Sequence, residues 1–316
     1  MLIQIICPAP KGSLHGNRTT ALRWSRILRA LGHRVTIEQQ YQGALCGLMI
    51  ALHARRSADA VALFKRLHPE LPLVLALTGT DLYQDIHGNG EAQRSLELAT
   101  RLVVLQPLGI EEVPRHLRHK ARVVLQSAKP TPGSHRPSTA IFDVCVVGHL
   151  RDVKDPFRTA QAALLLPASS RIRVLHVGGA MSEDMAVRAR EEMARNPRYH
   201  WLGELPRWKT RRVMARCRLL VHTSILEGGA NIISEALADA IPVIASRIPG
   251  SIGILGPDYP GYFPVKSTRE LARLLLCAEN DPAFLHDLKE QCVRLGPMVN
   301  PALEQASWQR LLSELA

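Results

Sequence analysis

The chain has 316 residues, 46% of them hydrophobic, which is enough for two domains with cores of their own. No segment approaches the roughly 20 apolar residues of a membrane-spanning helix, and the apolar N-terminus lacks the basic region and cleavage site of a signal peptide. The formal net charge is +12, and positions 1–136 hold 18 of the 40 Lys and Arg residues but only 9 of the 28 Asp and Glu residues. Such a surface attracts anions generally, although solvated arginines without a specific function are an equally good explanation.

The cysteine spacing and the aromatic content narrow the range of ligands further. The six cysteines form no CxxC pair and no zinc-type spacing, which indicates reduced core thiols in a cytoplasmic protein and no metal site. Aromatic residues make up only 4% of the chain, and no stacking motif for single-stranded nucleic acid is present. We therefore expect small anionic ligands, with no nucleic-acid partner and no stable membrane association.

In the first part of the chain, short apolar runs alternate with segments of helical periodicity, which is typical of a parallel sheet flanked by helices. The predicted strands are Leu2–Ile6, Arg34–Ile37, Leu45–Ala51, Pro72–Leu77, Arg101–Leu105 and Ala121–Leu125. The predicted helices between them are Thr20–Leu31, Ser57–Leu67 and Glu91–Ala99. The first helix carries an apolar stripe and ends at Gly32, a favourable residue for a helix C-terminus.

A linker interrupts this alternation, because Lys129–Ser138 contains three prolines and a glycine without apolar periodicity. A second series of strands follows at Asp143–Val147, Arg171–Val177, His200–Leu202, Leu219–His222 and Pro242–Ala245. Its helices are Pro156–Leu166, Asp184–Asn196, Arg207–Cys217 and Asn231–Ala240, and a last helix covers Pro301–Leu315. The sequence thus predicts an α/β protein with Rossmann-like domains at 1–130 and 139–300, a linker at 131–138 and a C-terminal helix at 301–316. Ligands are expected in a cleft between the domains, at the carboxyl ends of the strands.

The strongest candidate site follows the predicted strand Leu219–His222, where the segment Glu227–Asn231 leads into a helix that carries Glu235. A loop of small residues at the start of a helix presents free backbone N–H groups and the helix dipole to a phosphate. Two carboxylates there would repel the phosphate, so we expect each to accept hydrogen bonds from sugar hydroxyls. A dipole partner for Glu227 and a solvated position for Glu235 are the alternatives.

This element resembles that of the retaining glycosyltransferases of family 4, with Gly-Gly after the first glutamate and Ala-Leu-Ala after the second. Enzymes of that family have the GT-B fold, in which two Rossmann-like domains face each other across a cleft. The resemblance implies that Glu227 lies near the transferred sugar and that Glu235 binds the ribose hydroxyls of a nucleotide-sugar. It also implies that four residues hold the donor diphosphate: Gly228, Gly229, Ala230 and Asn231.

A second element follows the strand Asp143–Val147 and resembles the diphosphate-binding loop of the same family. Lys154 matches the family lysine, whose compact charge would neutralise the leaving diphosphate. His149 stands at the position of the family arginine, which is a departure from the pattern. Arg151 is the alternative source of the missing guanidinium, and ordinary surface positions remain the alternative for all three residues.

A third element is the glycine-containing turn after the first strand, which includes Lys11, Gly12 and Gly16. By itself this motif is weak, but the corresponding family loop closes over the donor diphosphate and faces the acceptor. The resemblance thus puts Gly16 near the donor and Lys11, Gly12, Asn17 and Arg18 near the acceptor. A cation at a helix N-terminus gains nothing from the dipole, so Arg18 indicates an anionic ligand, unless it is simply solvated.

Two further segments complete the candidate site. Thr78, Thr80 and Asp81 follow the strand Pro72–Leu77, in a region where family 4 often carries a histidine, and are expected to contact the sugar or the acceptor. A helix cap is the alternative for Asp81. Leu205 lies after the strand His200–Leu202, where the family binds the nucleotide base through backbone groups.

Over nearly the whole length, the motifs resemble a narrower group, the selenosugar synthases of bacterial selenoneine biosynthesis. The markers are the segments Pro8–Thr20, Leu77–Tyr83, Val147–Phe157 and Glu227–Asn231. The resemblance implies that a UDP-sugar, UDP-N-acetylglucosamine or UDP-glucose, reacts with selenophosphate to give a 1-seleno sugar without a metal or other cofactor. Selenophosphate is already an anionic nucleophile, so the reaction needs positioning and charge neutralisation rather than a general base.

Two alternatives remain at this point. The first is an ordinary family 4 hexosyltransferase that acts on a glycan, a lipid or a small molecule. The second is a protein with the GT-B fold but no catalytic activity, which binds anions or nucleic acid through its basic surface. The presence of Glu227, Glu235 and Lys154 favours an active enzyme.

Overall fold

The structure is a computed structural model that describes residues 1–315. The chain divides into two compact units. Unit 1 comprises Met1–Ser127, Glu227–Gly229 and Pro301–Ala316, and unit 2 comprises Ala128–Leu226 and Ala230–Asn300. The C-terminal segment thus belongs to the same unit as the N-terminal residues. The three residues Glu227, Gly228 and Gly229 also belong to unit 1.

Unit 1 is built on one parallel sheet of six strands, in the order β2-β1-β3-β4-β5-β6. The strands are β1 Leu2–Ile6, β2 Arg34–Glu38, β3 Leu48–Leu52, β4 Leu73–Leu77, β5 Arg101–Val104 and β6 Ala121–Val123. All residues of β3 and β4 are buried. Continuous apolar runs of this kind suit central parallel strands, which are covered by helices on both faces.

Seven helical segments connect or follow these strands. They are α1 Gly16–Ala30, α2 Ala58–Leu67, a π-helix at Asp81–Asp85, α3 Ile86–Gly88, α4 Gly90–Leu98, α5 Gly109–Glu112 and a 3-10 helix at Arg115–Lys120. The helix α1 begins four residues earlier than the predicted Thr20, so that Asn17 and Arg18 lie within its first turn.

The C-terminal helix of the chain packs against α1 within unit 1. The Trp24 and Trp308 rings meet edge to face with centroids 4.8 Å apart. Beside them, the buried carboxylate of Glu304 accepts hydrogen bonds from Arg23, from Trp24 Nε1 at 2.8 Å and from the Ser127 amide at 2.9 Å. Because a buried charge needs such partners, these bonds fix the helix in one position.

Unit 2 has a second parallel sheet of six strands, in the order β12-β11-β10-β7-β8-β9. The strands are β7 Phe142–Val147, β8 Ile172–Val177, β9 Tyr199–Trp201, β10 Leu219–His222, β11 Val243–Ser246 and β12 Tyr262–Phe263. Counted from β7, this is the doubly wound order 3-2-1-4-5-6 of a Rossmann fold, whose direction reverses between β7 and β10. The predicted fold class, α/β with two Rossmann-like domains, is confirmed.

The helices of unit 2 and the C-terminal helix complete the fold. They are α6 Arg158–Leu164, α7 Glu183–Arg195, α8 Arg207–Ala215, α9 Asn231–Ala238, α10 Pro249–Leu255, α11 Thr268–Asn280, α12 Pro282–Leu295 and α13 Pro301–Ser313, with 3-10 turns at Asp152–Lys154 and Gly296–Val299. The sequence prediction did not include α10, α11, α12 or β12. Within residues 1–315, no helix combines the length and apolar character needed to cross a membrane.

Candidate functional site

The loop after β7 lies at the switch point of the unit 2 sheet, where Rossmann folds bind their ligands. A cavity of about 10 Å³, room for about one water, is lined there by Gly148, Lys154 and His176 among others. The Oγ1 hydroxyl of Thr223, just after β10, shares its one proton between the carbonyl oxygens of Lys154 at 2.8 Å and Asp155 at 3.0 Å. This pair of bonds holds the backbone of Lys154 at the end of the sheet.

A buried histidine supports the same loop from β8. His176 Nε2 lies 3.0 Å from the carbonyl oxygen of Gly148, so that this nitrogen must carry the proton and donate. The hydroxyl of Tyr199 lies 2.9 Å from Nδ1 and donates to it. Burial lowers the pKa of His176 to about 4, and the ring is neutral at physiological pH. Sequence reasoning missed this residue because nothing in a strand pattern shows which loop carbonyl its side chain meets.

His149 and Arg151 occupy different environments in this loop. The His149 ring accepts a hydrogen bond at Nδ1 from the backbone amide of Gly179, at 3.2 Å. Arg151 is exposed, at the start of the 3-10 turn that contains Lys154. His149 therefore fixes the backbone of Gly179, which follows β8. Arg151, by contrast, is accessible to a ligand.

The N-terminus of α9 has the features of a phosphate-binding helix start. Ala230 precedes the helix in an extended conformation and provides no side-chain cap, and the first turn from Asn231 contains no acidic residue. The first amide groups of a helix carry the positive end of its dipole, which attracts an anion. Ala230 is buried and Asn231 half-buried, and their proximity to a diphosphate stays a prediction.

Glu235 lies one turn into α9 and is 7% exposed. Its Oε1 accepts hydrogen bonds from Arg207, at 3.0 Å from Nε and 2.6 Å from Nη2. Leu205, two residues before Arg207, is half-buried, and its carbonyl lies 3.3 Å from the Thr210 hydroxyl. Sequence analysis predicted a role for Glu235 and Leu205 but did not identify Arg207, whose partner lies on another helix.

Glu227, Gly228 and Gly229 belong to unit 1, where they lie against the loops that follow β4 and β5. A Cβ at Gly228 would come within 2.8 Å of the Thr78 carbonyl carbon, and one at Gly229 within 2.5 Å of Leu105 Cβ. Only glycine fits such close approaches. Glu227 is half-buried, and its charge contributes, after burial and the charge of Glu112, to raising the pKa of Tyr83.

The turn before α1 contains the other predicted cluster. Gly12 has φ of +86° and Lys11 is exposed beside it. Gly16 and Asn17 begin α1, whose first turn has neither a side-chain cap nor an acidic residue. Arg18 is only 8% exposed, and its Nε has no hydrogen-bond partner within the described chain. Because a buried charge with an unpartnered N–H group is costly, the Arg18 guanidinium favours an anionic ligand.

The loop after β4 combines a ligand-accessible part with a structural part. The hydroxyl of Thr78 is buried and has no hydrogen-bond partner within residues 1–315, and Thr80 is half-buried. Asp81 is fully buried, and its oxygens accept hydrogen bonds from the amides of Gly79 at 2.8 Å and Ala54 at 2.9 Å. Asp81 therefore joins two loops of the fold, and a ligand contact would require one of these bonds to open.

His53, which follows β3, is a feature that the sequence did not reveal. It has φ of +75°, a left-handed conformation that costs a non-glycine residue roughly 1–3 kcal/mol. Its ring lies 3.9 Å from a carboxylate oxygen of Asp81 and 3.8 Å from one of Asp85. Burial lowers the pKa of His53, against the opposing effect of Asp81. Within residues 1–315, no group of three or more His, Cys, Asp or Glu side chains could hold a metal ion.

The two Rossmann-like units, each with a candidate anion site at a helix start, define a protein of the GT-B class. Residues 134–294, just over half of the chain, match the family described as glycosyl transferases group 1. The chain belongs to this family.

Two further comparisons agree with this assignment. The chain is 24% identical, over 273 residues, to glycosyltransferase 1 domain-containing protein 1 of Xenopus tropicalis, covering 78% of this chain and 79% of that protein. Its fold is similar to that of Anabaena HepE, solved in complex with UDP and glucose, with a TM-score of 0.78, 16% identity and coverage of 99% and 100% of the two chains. Sucrose-phosphate synthase from Thermosynechococcus elongatus is similar too, with a TM-score of 0.74, 16% identity and coverage of 99% and 98%.

Proposed function

We propose that this glycosyltransferase joins a UDP-sugar to selenophosphate and forms a 1-seleno sugar. The donor is UDP-N-acetylglucosamine or UDP-glucose, and the acceptor is selenophosphate. The donor class is supported by HepE, whose complexes contain UDP or UDP-glucose. The acceptor class is supported by the basic first part of the chain and by the whole-length resemblance to selenosugar synthases.

The donor would bind along the unit 2 switch point. Lys154 and the positive N-terminal end of α9 would neutralise the diphosphate, and Glu235 would bind the ribose hydroxyls. The Gly148 loop, held by Thr223 and His176, provides a fixed backbone for this contact. Since these groups can neutralise the leaving diphosphate without a metal, we expect turnover to be unchanged by a chelator.

Arg18 carries the acceptor proposal. A neutral sugar acceptor could accept a hydrogen bond from Arg18, whose Nε has no partner in the described chain, but it would leave the charge of this buried guanidinium uncompensated. Selenophosphate, by contrast, offers several anionic oxygens to this group and to the uncapped amides at the start of α1. Asn17, Lys11 and the Thr78 hydroxyl are the further groups that we assign to the same acceptor.

The proposed chemistry is a substitution at the anomeric carbon. Selenium of selenophosphate forms a bond to C1 while the bond from C1 to the diphosphate oxygen breaks, and UDP leaves with the electron pair. Water then cleaves the phosphorus–selenium bond of the product, which gives the 1-seleno sugar and phosphate. Glu227 is expected near the transferred sugar, where a carboxylate stabilises the positive charge that develops on the ring.

The decisive experiment measures UDP release from UDP-N-acetylglucosamine and UDP-glucose, with product masses, in the presence of selenophosphate or of phosphate-free sugar acceptors. Release that depends on selenophosphate, with a product containing one selenium and one sugar, is the expected result. Transfer to the sugar acceptors and none to selenophosphate would instead establish the ordinary hexosyltransferase. Salt-sensitive DNA binding without any UDP release would point to a non-catalytic protein.

A further inference from the structure

The carboxylate of Glu235 lies between two arginines of α8. Arg207 binds Oε1 with two nitrogens, Nε at 3.0 Å and Nη2 at 2.6 Å. Arg211 approaches the other oxygen, Oε2, only to 3.9 Å from Nε, which is beyond hydrogen-bond distance. The two oxygens are therefore unequal, because Oε1 already accepts two donors while Oε2 retains its capacity to accept.

Arg211 directs one nitrogen of its guanidinium to other partners, while its Nε has no hydrogen-bond partner in the described chain. Its Nη2 donates to Asp239 Oδ2 at 2.8 Å and to the carbonyl of Lys129 at 3.0 Å. Asp239 in turn binds the amide and the hydroxyl of Thr131, both at 2.6 Å. Arg211 thus anchors the segment that enters unit 2 and reaches the backbone carbonyl of Glu235 at 3.5 Å, whereas Arg207 donates to the Glu235 carboxylate.

The position of Arg207 cannot be explained by its own helix. It is the first residue of α8, where the helix dipole disfavours a cation, and its side chain is 43% exposed. The side chain of Glu235 is only 9% exposed and needs a hydrogen-bonded partner to remain charged there. The Arg207–Glu235 pair is therefore explained by its effect on Glu235, whose carboxylate it holds in one orientation.

We infer that Arg207 is a positioning residue for nucleoside recognition. By occupying Oε1, it orients the Glu235 carboxylate and leaves Oε2 to accept the hydroxyl groups of the donor ribose. This inference rests on the proposed function, in which Glu235 binds the ribose. The new element is that the affinity for the nucleotide depends on Arg207, which acts through the Glu235 carboxylate and not by a contact with the nucleotide.

The test compares UDP with 2′,3′-dideoxy-UDP in isothermal titration calorimetry. Arg207→Gln is expected to weaken UDP binding about tenfold, the order of one charge-assisted hydrogen bond, and Arg207→Lys less. Binding of dideoxy-UDP, which lacks both hydroxyls, is expected to be equal in the wild type and in Arg207→Gln. Arg212→Gln is the matched control, because this substitution removes the same charge from the same helix. The Arg212 side chain stacks on the exposed Trp208 ring, 5.0 Å from its centroid, and not on Glu235.

Four outcomes would overturn the inference. Equal losses for UDP and dideoxy-UDP in Arg207→Gln would show a general structural role, as would a loss of the same size in Arg212→Gln. Unchanged or tighter UDP binding in Arg207→Gln would show that the arginine competes with the ribose or does not affect it. If the wild type binds neither nucleotide, the proposed donor fails together with this inference, and that result is distinct from a failure confined to the variant.

Discussion

His176 donates a 3.0 Å hydrogen bond from Nε2 to the carbonyl of Gly148, and thereby ties β8 to the first residue of the loop that carries Lys154. Burial lowers the pKa of this histidine from 6.5 to about 4. In the unfolded chain the ring takes up a proton near pH 6.5, whereas in the folded protein it stays neutral down to about pH 4. The stability due to the neutral ring is therefore complete above pH 6.5 and is lost as the pH falls from there towards 4.

The first prediction follows from this linkage. His176→Gln keeps an N–H donor but does not titrate, so the free energy of unfolding of the wild type should decrease more steeply than that of the variant between pH 7 and pH 4.5. The expected divergence is a few kcal/mol, as estimated from the pKa difference. Urea denaturation at several pH values measures it, with the exposed His119→Gln as the control. Parallel curves for wild type and His176→Gln would contradict the prediction.

The second prediction concerns Gly178, which closes the other side of the same loop. A Cβ at this position would lie 1.9 Å from the carbonyl oxygen of Gly148, so backbone atoms would have to move. We expect Gly178→Ala to lower the free energy of unfolding by about 1–3 kcal/mol and to weaken UDP binding. Gly88→Ala, where the structure shows nothing within 4 Å of the new Cβ, is the matched control. Wild-type UDP affinity in Gly178→Ala would show that the loop does not need this packing.

The third prediction tests the donor phosphate contact. Lys154 lines the cavity at the switch point, and its loss would remove the cation expected to neutralise the leaving diphosphate. Lys154→Met keeps most of the side-chain volume, and we expect it to lower kcat about 10²-fold, the order found when one transition-state donor is removed. Steady-state UDP release measures kcat. Lys209→Met, on the outer face of α8 near Trp208, should retain the wild-type rate.

The fourth prediction separates acceptor from donor. Arg18→Ala should raise the KM for selenophosphate at least about tenfold, as expected for the loss of a charge-assisted bond. The same variant should leave the dissociation constant for UDP nearly unchanged. Arg26→Ala removes an equal charge from an exposed position on the same helix and should change neither constant. An equal loss of UDP and selenophosphate affinity in Arg18→Ala would exclude a specific acceptor contact.

Much of the fold was predictable because the central parallel strands are buried on both faces. Such strands appear as short apolar runs, and Leu73–Leu77 and Leu219–His222 were predicted almost to the residue for this reason. The helix α11 was not predicted, although the Ser267 side chain caps its N-terminus by accepting a hydrogen bond from the Glu270 amide. The early start of α1 was missed because its uncapped first turn has no sequence signal.

The sequence by itself determined the two series of apolar strands, the glycines at 228 and 229, and the positions of Glu227, Glu235, Lys154 and Arg18 at strand or helix ends, since these depend on local patterns. Only the tertiary structure decided which groups those side chains meet. The pairing of Glu235 with Arg207, the hydrogen bonds that occupy Asp81 and the support of Gly148 by His176 all join separate elements. Such contacts depend on strand order and helix packing, which bring together residues far apart in the chain, and no local pattern encodes them.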